Sequence, residues 1–167
     1  MKKTQFLLIL SLILFTGCKS ISGGKGSIDN SYKMELGIIA EDKVDNFINE
    51  FTYRYSFEIA RDDNISNISG FYKDTYWRTR LPFDDEASLG FEDIYNKVII
   101  KGSVIRNRTS TLSLNQVYYE IDIEILQEGK RRFTGEVIPF DFTEEGKEFT
   151  VNLARNLRDI IEAKIIQ

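Results

Sequence analysis

The chain of 167 residues contains no histidine, one cysteine and two prolines. Histidine is the commonest general base near neutral pH and the commonest protein ligand of transition metals, so its absence excludes a Ser-His-Asp triad and any histidine-based metal site. A single cysteine forms no disulfide within the chain. Because 13% of the residues are aromatic, we expect a substantial hydrophobic core to stabilise the fold instead.

Other chemical motifs are also missing. The sequence has no Gly-x-Ser-x-Gly elbow and no phosphate-binding loop, which excludes the usual signatures of hydrolases and nucleotide-binding enzymes. The densest acidic cluster, Asp84-Asp85-Glu86, lacks the spacing of an EF-hand, so a solvated loop is favoured over a calcium site. We therefore expect no enzymatic activity, no metal and no cofactor. A hydrolase that uses two distant carboxylates is the remaining catalytic alternative, since such a pair has no sequence signature.

The first seventeen residues have the layout of an export signal. Lys2 and Lys3 precede an apolar run, Phe6–Phe15, which only Ser11 interrupts. A run of about ten residues is too short to span a bilayer, which takes roughly 20, but has the usual length of the apolar part of a signal peptide.

The residues that follow the apolar run contain the only cysteine. Phe15-Thr16-Gly17-Cys18 resembles the lipobox of bacterial lipoproteins, although Phe15 stands where the usual residue is leucine. The resemblance implies that Cys18 becomes the N-terminus and carries thioether-linked diacylglycerol, often with a third, amide-linked acyl chain. Two or three such chains anchor a protein almost irreversibly. The alternative is an ordinary signal peptide or a short membrane helix with an incidental cysteine.

Together with the composition and length of the rest of the chain, this signal predicts a domain layout and a location. Residues 1–17 are the signal peptide, residues 18–30 the lipidated cysteine and a Gly- and Ser-rich tether, and residues 31–167 one domain. Such a tether has a reach of roughly 20 Å. In Gram-negative lipoproteins, an aspartate directly after the cysteine retains the protein in the inner membrane. Lys19 stands at that position, so in a Gram-negative organism the absence of aspartate favours the outer membrane, with the domain facing the periplasm or the exterior.

Charge excludes one class of partner. Loss of Lys2 and Lys3 with the signal changes the net charge from −4 to −6. A well-mixed acidic surface is not the basic patch that nucleic-acid binding needs. We therefore expect contact with the membrane through the acyl chains of Cys18, and no binding to nucleic acid.

Hydrophobic periodicity predicts an α+β fold in the order β-α-β-β-β-β-β-α, with a mainly antiparallel sheet and two helices on one face. Alternation of apolar and polar residues is clearest from Val117 to Ile125. The predicted strands cover 31–39, 53–61, 71–81, 94–106, 117–125 and 132–138, and the helices cover 41–52 and a segment from 143–147 to 165. The acidic segment 82–90 is predicted as a loop and Glu128-Gly129-Lys130 as a tight turn. For residues 53–61, continuation of the helix is the alternative to a strand.

In outline this order is similar to the small α/β domains of outer-membrane assembly lipoproteins, such as those of the lipopolysaccharide-transport and barrel-assembly machineries. The similarity concerns the fold alone.

Helices on one side would leave the other face of the sheet open. We expect that face to carry aromatic and charged side chains suited to a protein partner, namely Arg54, Tyr76, Arg78, Arg80, Tyr118 and Glu120. The alternative is a solvated face with cross-strand ion pairs.

The leading hypothesis is therefore a non-enzymatic envelope lipoprotein that engages another protein. The second hypothesis is a carrier of lipid or another apolar ligand, which would need a cavity of several hundred Å³ between the sheet and the helices.

Overall fold

The computed structural model describes residues 28–63, 70–105 and 116–165. The predicted signal peptide, Cys18 and residues 19–27 of the tether lie outside these residues. The strands are β1 (Ser31–Ala40), β2 (Ile59–Asp63), β3 (Gly70–Thr75), β4 (Arg78–Arg80), β5 (Phe91–Val104), β6 (Tyr118–Arg131) and β7 (Val137–Pro139). The helices are α1 (Glu41–Tyr55), α2 (Asp84–Ser88) and α3 (Glu144–Ile165). The predicted α+β class is confirmed.

The strands form one antiparallel sheet in the order β1-β6-β5-β3-β2. Strand β4 pairs with β5, and β7 pairs with β6. The long strands β5 and β6 make the centre of the sheet, and β1 adds to β6 with Ser31 opposite Leu126. The N-terminal strand β1 therefore lies beside β6, a strand from the C-terminal half of the chain.

The inner face of the sheet is covered by α1 and α3. Alternate residues of β5 and β6 point to this face, as the sequence pattern predicts. They pack against apolar positions of both helices in one buried core. Residues at the centre of this core are completely or almost completely buried: Phe47, Phe51, Val98, Ile100, Ile121, Ile125, Leu157 and Ile161. No helix in the described part of the chain covers the outer face, where Glu124 accepts a hydrogen bond from Ser31 and lies 3.4 Å from Lys33 Nζ.

The prediction of a strand over residues 53–61 is wrong, because α1 continues to Tyr55 and the strand begins only at Ile59. The aromatic residues of this segment fit the periodicity of a helix and that of a strand, and tertiary packing favours the helix. Phe51 and Tyr55 lie one turn apart with ring centroids at 6.2 Å, while Tyr53 is left 89% exposed. Ser56 then adopts a left-handed conformation (φ 52°) and turns Phe57 back onto Phe51, at 5.3 Å.

The predicted strand 71–81 is divided into β3 and β4. At the division, the hydroxyl of Thr75 accepts a hydrogen bond from the Val98 N–H at 3.0 Å, in place of a backbone carbonyl. The Tyr76 N–H instead donates to the Glu58 carbonyl. Pairing with β5 resumes at Arg78, which lies opposite Asn96.

Two further predictions are wrong at the C-terminal end of the sheet. The segment Glu128-Gly129-Lys130 is not a turn, because β6 continues to Arg131 and β7 is limited to 137–139. The turn lies at residues 132–135, where the Gly135 N–H donates to the Arg131 carbonyl. Asp29 and Asn30, at the end of the predicted tether, are hydrogen-bonded to residues of the domain, including Gln127.

Two glycines in the central strands allow aromatic rings to lie against the sheet. The ring of Phe71 covers Gly102, and a Cβ atom at that position would lie 2.2 Å from the ring. Gly129 is covered in the same way by Phe91, at 2.5 Å. The rings fit into the core because these two positions have no side chain. Gly129 is therefore required for packing and not for the turn that the sequence Glu128-Gly129-Lys130 predicts.

We expect Gly102→Ala to lower the free energy of unfolding by about 1–3 kcal/mol, because the new methyl group must displace the buried Phe71 ring. Urea denaturation measures the change. Ser103→Ala, at the exposed neighbouring position, is the matched control and should change the free energy by less than about 0.5 kcal/mol. Equal effects of the two substitutions would contradict this account of Gly102.

Candidate functional site

A group of polar side chains is buried on the inner face of the sheet, beside the apolar core. Arg80 is at its centre and makes a two-pronged ion pair with Glu86, with both Nη–Oε distances at 2.6 Å. Its Nε donates to Asn96 Oδ1 at 3.1 Å, and Nη2 also donates to Gln127 Oε1 at 3.2 Å. The side chain of Glu86 is fully buried and that of Arg80 is 13% exposed.

Local structure explains how these residues meet. In β4, Arg78 and Arg80 lie opposite Asn96 and Ile94, which point to the inner face. Side chains two residues apart in a strand share a face, so both arginines point inward. The guanidinium group of Arg80 contacts the rings of Phe83 and Phe149, with its Cζ atom 4.3 and 5.0 Å from their centroids.

The short helix α2 brings Glu86 and Asp85 to this group and joins it to α3. Glu86 accepts a hydrogen bond from the Phe83 N–H at 2.9 Å. Asp85 Oδ2 accepts one from the Glu145 N–H at 3.0 Å, and Thr143 caps α3 by accepting one from the Gly146 N–H at 3.1 Å.

Two amide groups in this buried group lack hydrogen-bond partners. Within the described part of the chain, neither Asn96 Nδ2 nor Gln127 Nε2 has an acceptor, although both residues are at most 3% exposed. Their oxygens accept from Arg80, which fixes the orientation of the amides and leaves the NH2 groups as donors. Buried donors without acceptors are uncommon and costly, so each of these groups calls for a ligand or a water.

Asn96 lines a small cleft of about 70 Å³ together with Phe57, Arg78, Arg80 and Phe149. We call these five residues the Arg78 cleft. Arg78 lies over the Phe57 ring at 5.4 Å from its centroid. Unlike Arg80, it forms no hydrogen bond or ion pair with any residue in 28–63, 70–105 or 116–165. The polar groups that are unpaired in the cleft are therefore all donors, and the walls are aromatic.

This arrangement fixes what the cleft can do chemically. A guanidinium group and an amide NH2 donate hydrogen bonds but do not accept a proton near neutral pH. The cleft is thus suited to hold a ligand with acceptor atoms and negative charge, and its aromatic walls to hold the apolar carbon next to them.

The residues predicted for a partner surface do not lie on one face. Tyr118 and Glu120 are on the outer face of the sheet, whereas Arg78 and Arg80 point to the inner face. Arg54 is on α1, where it pairs with Glu50. Tyr76 lies between β3 and β4 and is 61% exposed. The expectation failed because the division of the predicted strand 71–81 could not be read from its alternation.

The acidic cluster also differs from its prediction as a solvated loop. Asp84 is exposed, but Glu86 is fully buried by Arg80 and Asp85 bonds to the start of α3. In the part of the chain that the structure describes, no three His, Cys, Asp or Glu side chains are grouped so that they could hold a metal ion.

Sequence reasoning missed Asn96, Gln127 and the two phenylalanines of the cleft. A signal for the first two was present. Asn96 occupies an inward position in the alternation Ile94, Val98, Ile100, and Gln127 continues the buried odd-numbered series of β6. A polar residue at an apolar position of a strong pattern predicts a buried hydrogen-bonding group. Phe57 and Phe149 give no such signal, since aromatic residues are ordinary core residues.

Comparison with protein-family models finds no match for the chain. Comparison with curated proteins and comparison with solved structures also find none. Among the described helices, none combines the length and the apolar character that crossing a membrane requires.

The two arginines of β4 should differ in their effect on stability. Arg80→Met leaves Glu86 buried and unpaired, which costs about 3–5 kcal/mol. Arg78→Met removes a contact with Phe57 worth about 0.5–1 kcal/mol. Urea denaturation of the two variants tests the difference, and a loss of several kcal/mol in Arg78→Met would show that Arg78 also has a mainly structural role.

The contact between α2 and α3 should weaken in acid. Burial opposes ionisation of Asp85, but hydrogen bonds from the Glu145 N–H, the Thr143 hydroxyl and the Glu86 N–H outweigh it and lower the pKa of Asp85 below 3.8. The pKa of Asp85 is lower in the folded state than in the unfolded state. The stabilisation by Asp85 is therefore complete above pH 3.8 and is lost as the pH falls through the folded-state pKa.

We therefore expect Asp85→Asn to reduce the free energy of unfolding at neutral pH by roughly 0.5–1 kcal/mol. The difference in free energy of unfolding between this variant and the parent protein should become smaller at acidic pH. Urea denaturation at a series of pH values measures it. Asp84→Asn, at the exposed neighbouring position, is the control and should show no such narrowing.

Proposed function

We propose that the protein is a lipid-anchored lipoprotein of the bacterial cell envelope whose α+β domain binds another protein and catalyses no reaction. The observation that carries the binding role is the Arg78 cleft, which Phe57 and Phe149 line. Within the described residues, the Arg78 side chain contacts the Phe57 ring but has no hydrogen-bond or ion-pair partner, and the buried Asn96 Nδ2 has no acceptor. Buried donors without acceptors are uncommon. Such donors are a feature of a binding site, where a group of the partner supplies the missing acceptor.

The anchor follows from the N-terminal sequence. The only cysteine stands directly after an apolar run of signal-peptide length and after the small residue Gly17. Acyl chains on Cys18 would hold the protein at a membrane without a spanning segment. Lys19 favours the outer membrane, and the domain then faces the periplasm or the exterior.

Exposed apolar side chains beside the cleft support a protein partner. Tyr76, Trp77 and Leu81 flank β4 in the sequence and are 61%, 39% and 80% exposed. Aromatic residues and arginine are enriched at protein interfaces and contribute much of their binding energy. The proposed contact surface is therefore the segment 76–81 with the cleft.

The carrier hypothesis has no specific observation in its favour. The space between the sheet and the two long helices is filled by side chains such as Phe47, Phe51 and Leu157, which are completely buried. Wider grooves of about 310 and 360 Å³ are open to the surface and have charged residues in their walls. A lipid bound at segment 76–81 is kept as an outcome of the test below.

Lipidation is tested first. In the protein purified from membranes, we expect mass spectrometry to find an N-terminal peptide that begins at Cys18 and carries two or three acyl chains. Cys18→Ser should remain in the precursor form, because the thioether cannot form. An unmodified Cys18 in the native protein, or cleavage elsewhere, would refute the anchor.

The binding surface is tested by site-specific photocrosslinking in intact cells. A photoreactive residue in place of Trp77 should give one discrete protein adduct, and Arg78→Gln in the same chain should abolish it. The control position is Tyr53, which is 89% exposed on α1; a photoreactive residue there should give no such adduct. Adducts of lipid mass at position 77 would favour the carrier, and identical adducts at both positions would contradict the proposed surface.

A further inference from the structure

We propose that the Arg78 cleft is a binding site for a carboxylate group, contributed by the protein partner as an acidic side chain or a C-terminus. The role of a partner rests on the function proposed above. The specificity of the cleft for a carboxylate rests on the cleft alone and can be tested without a partner.

The charge of the cleft comes from Arg78. Arg80 is neutralised by Glu86 through two hydrogen bonds of 2.6 Å. Arg78 lies two residues before Arg80 in β4, on the same face of the sheet, and its side chain has no anionic partner in the described residues. A half-buried cation without a counter-charge attracts an anion, because the Coulomb attraction between the two charges is stronger in a partly buried site than in bulk water.

The donors match a carboxylate in number and type. A guanidinium group offers a planar fork of N–H donors that a carboxylate accepts in parallel. Asn96 also lines this cleft, and its Nδ2, which is buried and has no acceptor in the described residues, is a third donor in the cleft wall. Its orientation is fixed by the bond from Arg80 Nε to Asn96 Oδ1. A ligand with two acceptor oxygens would satisfy both residues.

The size and walls of the cleft favour a carboxylate on a short carbon stem. A volume of about 70 Å³ exceeds the roughly 10–15 Å³ that one water requires in the same measure. Waters would satisfy the amide of Asn96 but would leave the charge of Arg78 uncompensated. The rings of Phe57 and Phe149 offer apolar contact, which a methylene group next to the carboxylate uses and a bare inorganic anion does not.

The experiment follows the side-chain N–H signals of Arg78 and Asn96 by NMR in the full lipidated protein in detergent micelles. Acetate, the probe, should shift both signals with a Kd on the order of 1 mM. Acetamide, which has the same shape without the charge, should shift neither. Arg78→Gln should weaken acetate binding at least about tenfold, because it removes the charge and the fork.

The matched control is Arg61→Gln. Arg61 also lies 5.4 Å from an aromatic centroid, that of Tyr72, but it is paired with Asp63 on the outer face of the sheet. This substitution should leave acetate binding unchanged. Two capped tetrapeptides then distinguish the sources, one with an internal aspartate and an amidated end, the other with a free C-terminal carboxylate and no acidic side chain. If the aspartate peptide binds more tightly than acetate, the carboxylate comes from an acidic side chain of the partner. If the other peptide does, the carboxylate comes from the C-terminus of the partner.

Three results would overturn the inference: no shift at saturating acetate, which would leave only water in the cleft; equal shifts with acetamide; or tighter binding of inorganic phosphate than of acetate. None of these depends on Cys18 or on crosslinking in cells. Failure of the carboxylate site is therefore distinguishable from failure of the proposed function.

Discussion

The buried ion pair between Arg80 and Glu86 is the interaction on which the arrangement of the sheet, the short helix and the long C-terminal helix depends. It connects β4 to α2, and Asp85, the neighbour of Glu86, connects α2 to the first turn of α3. A buried pair of this kind adds little net stability compared with apolar packing, but removal of one partner is costly. It therefore acts mainly to define one arrangement of these elements.

The same pair determines the chemistry of the Arg78 cleft. Arg80 is fully occupied by Glu86, Asn96 and Gln127, so it orients the neighbouring amides without being available itself. Among the described residues, the side chain of Arg78 has the ring of Phe57 as its contact and no anionic partner. Two arginines that look equivalent in the sequence thus have different roles. Arg80 orients the side chains of the cleft, and Arg78 supplies the charge that has no partner in the described residues.

Much of the fold could be predicted from periodicity, because β5, β6 and α3 each have one apolar face and long runs express it clearly. Prediction failed where two patterns coincide or where tertiary contacts decide. Phe51 and Tyr55 fit a helix and a strand equally well, and stacking of Phe57 on Phe51 resolves them. The partner of Glu86 could not be predicted, since an acidic residue in a Pro-flanked segment is usually solvated. The site was predictable only as far as Arg78 and Arg80, because Asn96 becomes meaningful only once β4 is placed opposite it and the phenylalanines of the cleft are ordinary core residues in the sequence.

The pairing of β1 with β6 has a consequence for the order in which the chain can fold. Ser31 and Leu126 are neighbours in the sheet although most of the domain separates them in the sequence. Contacts between residues so far apart form slowly, because closing a long loop costs entropy before the contact stabilises it. The first strand cannot find its place until β6 exists, so the N-terminal part of the domain remains unpaired while the rest is being made. Late folding of this kind suits the export that we propose, since a polypeptide that has not yet folded can still be threaded through a narrow translocation channel.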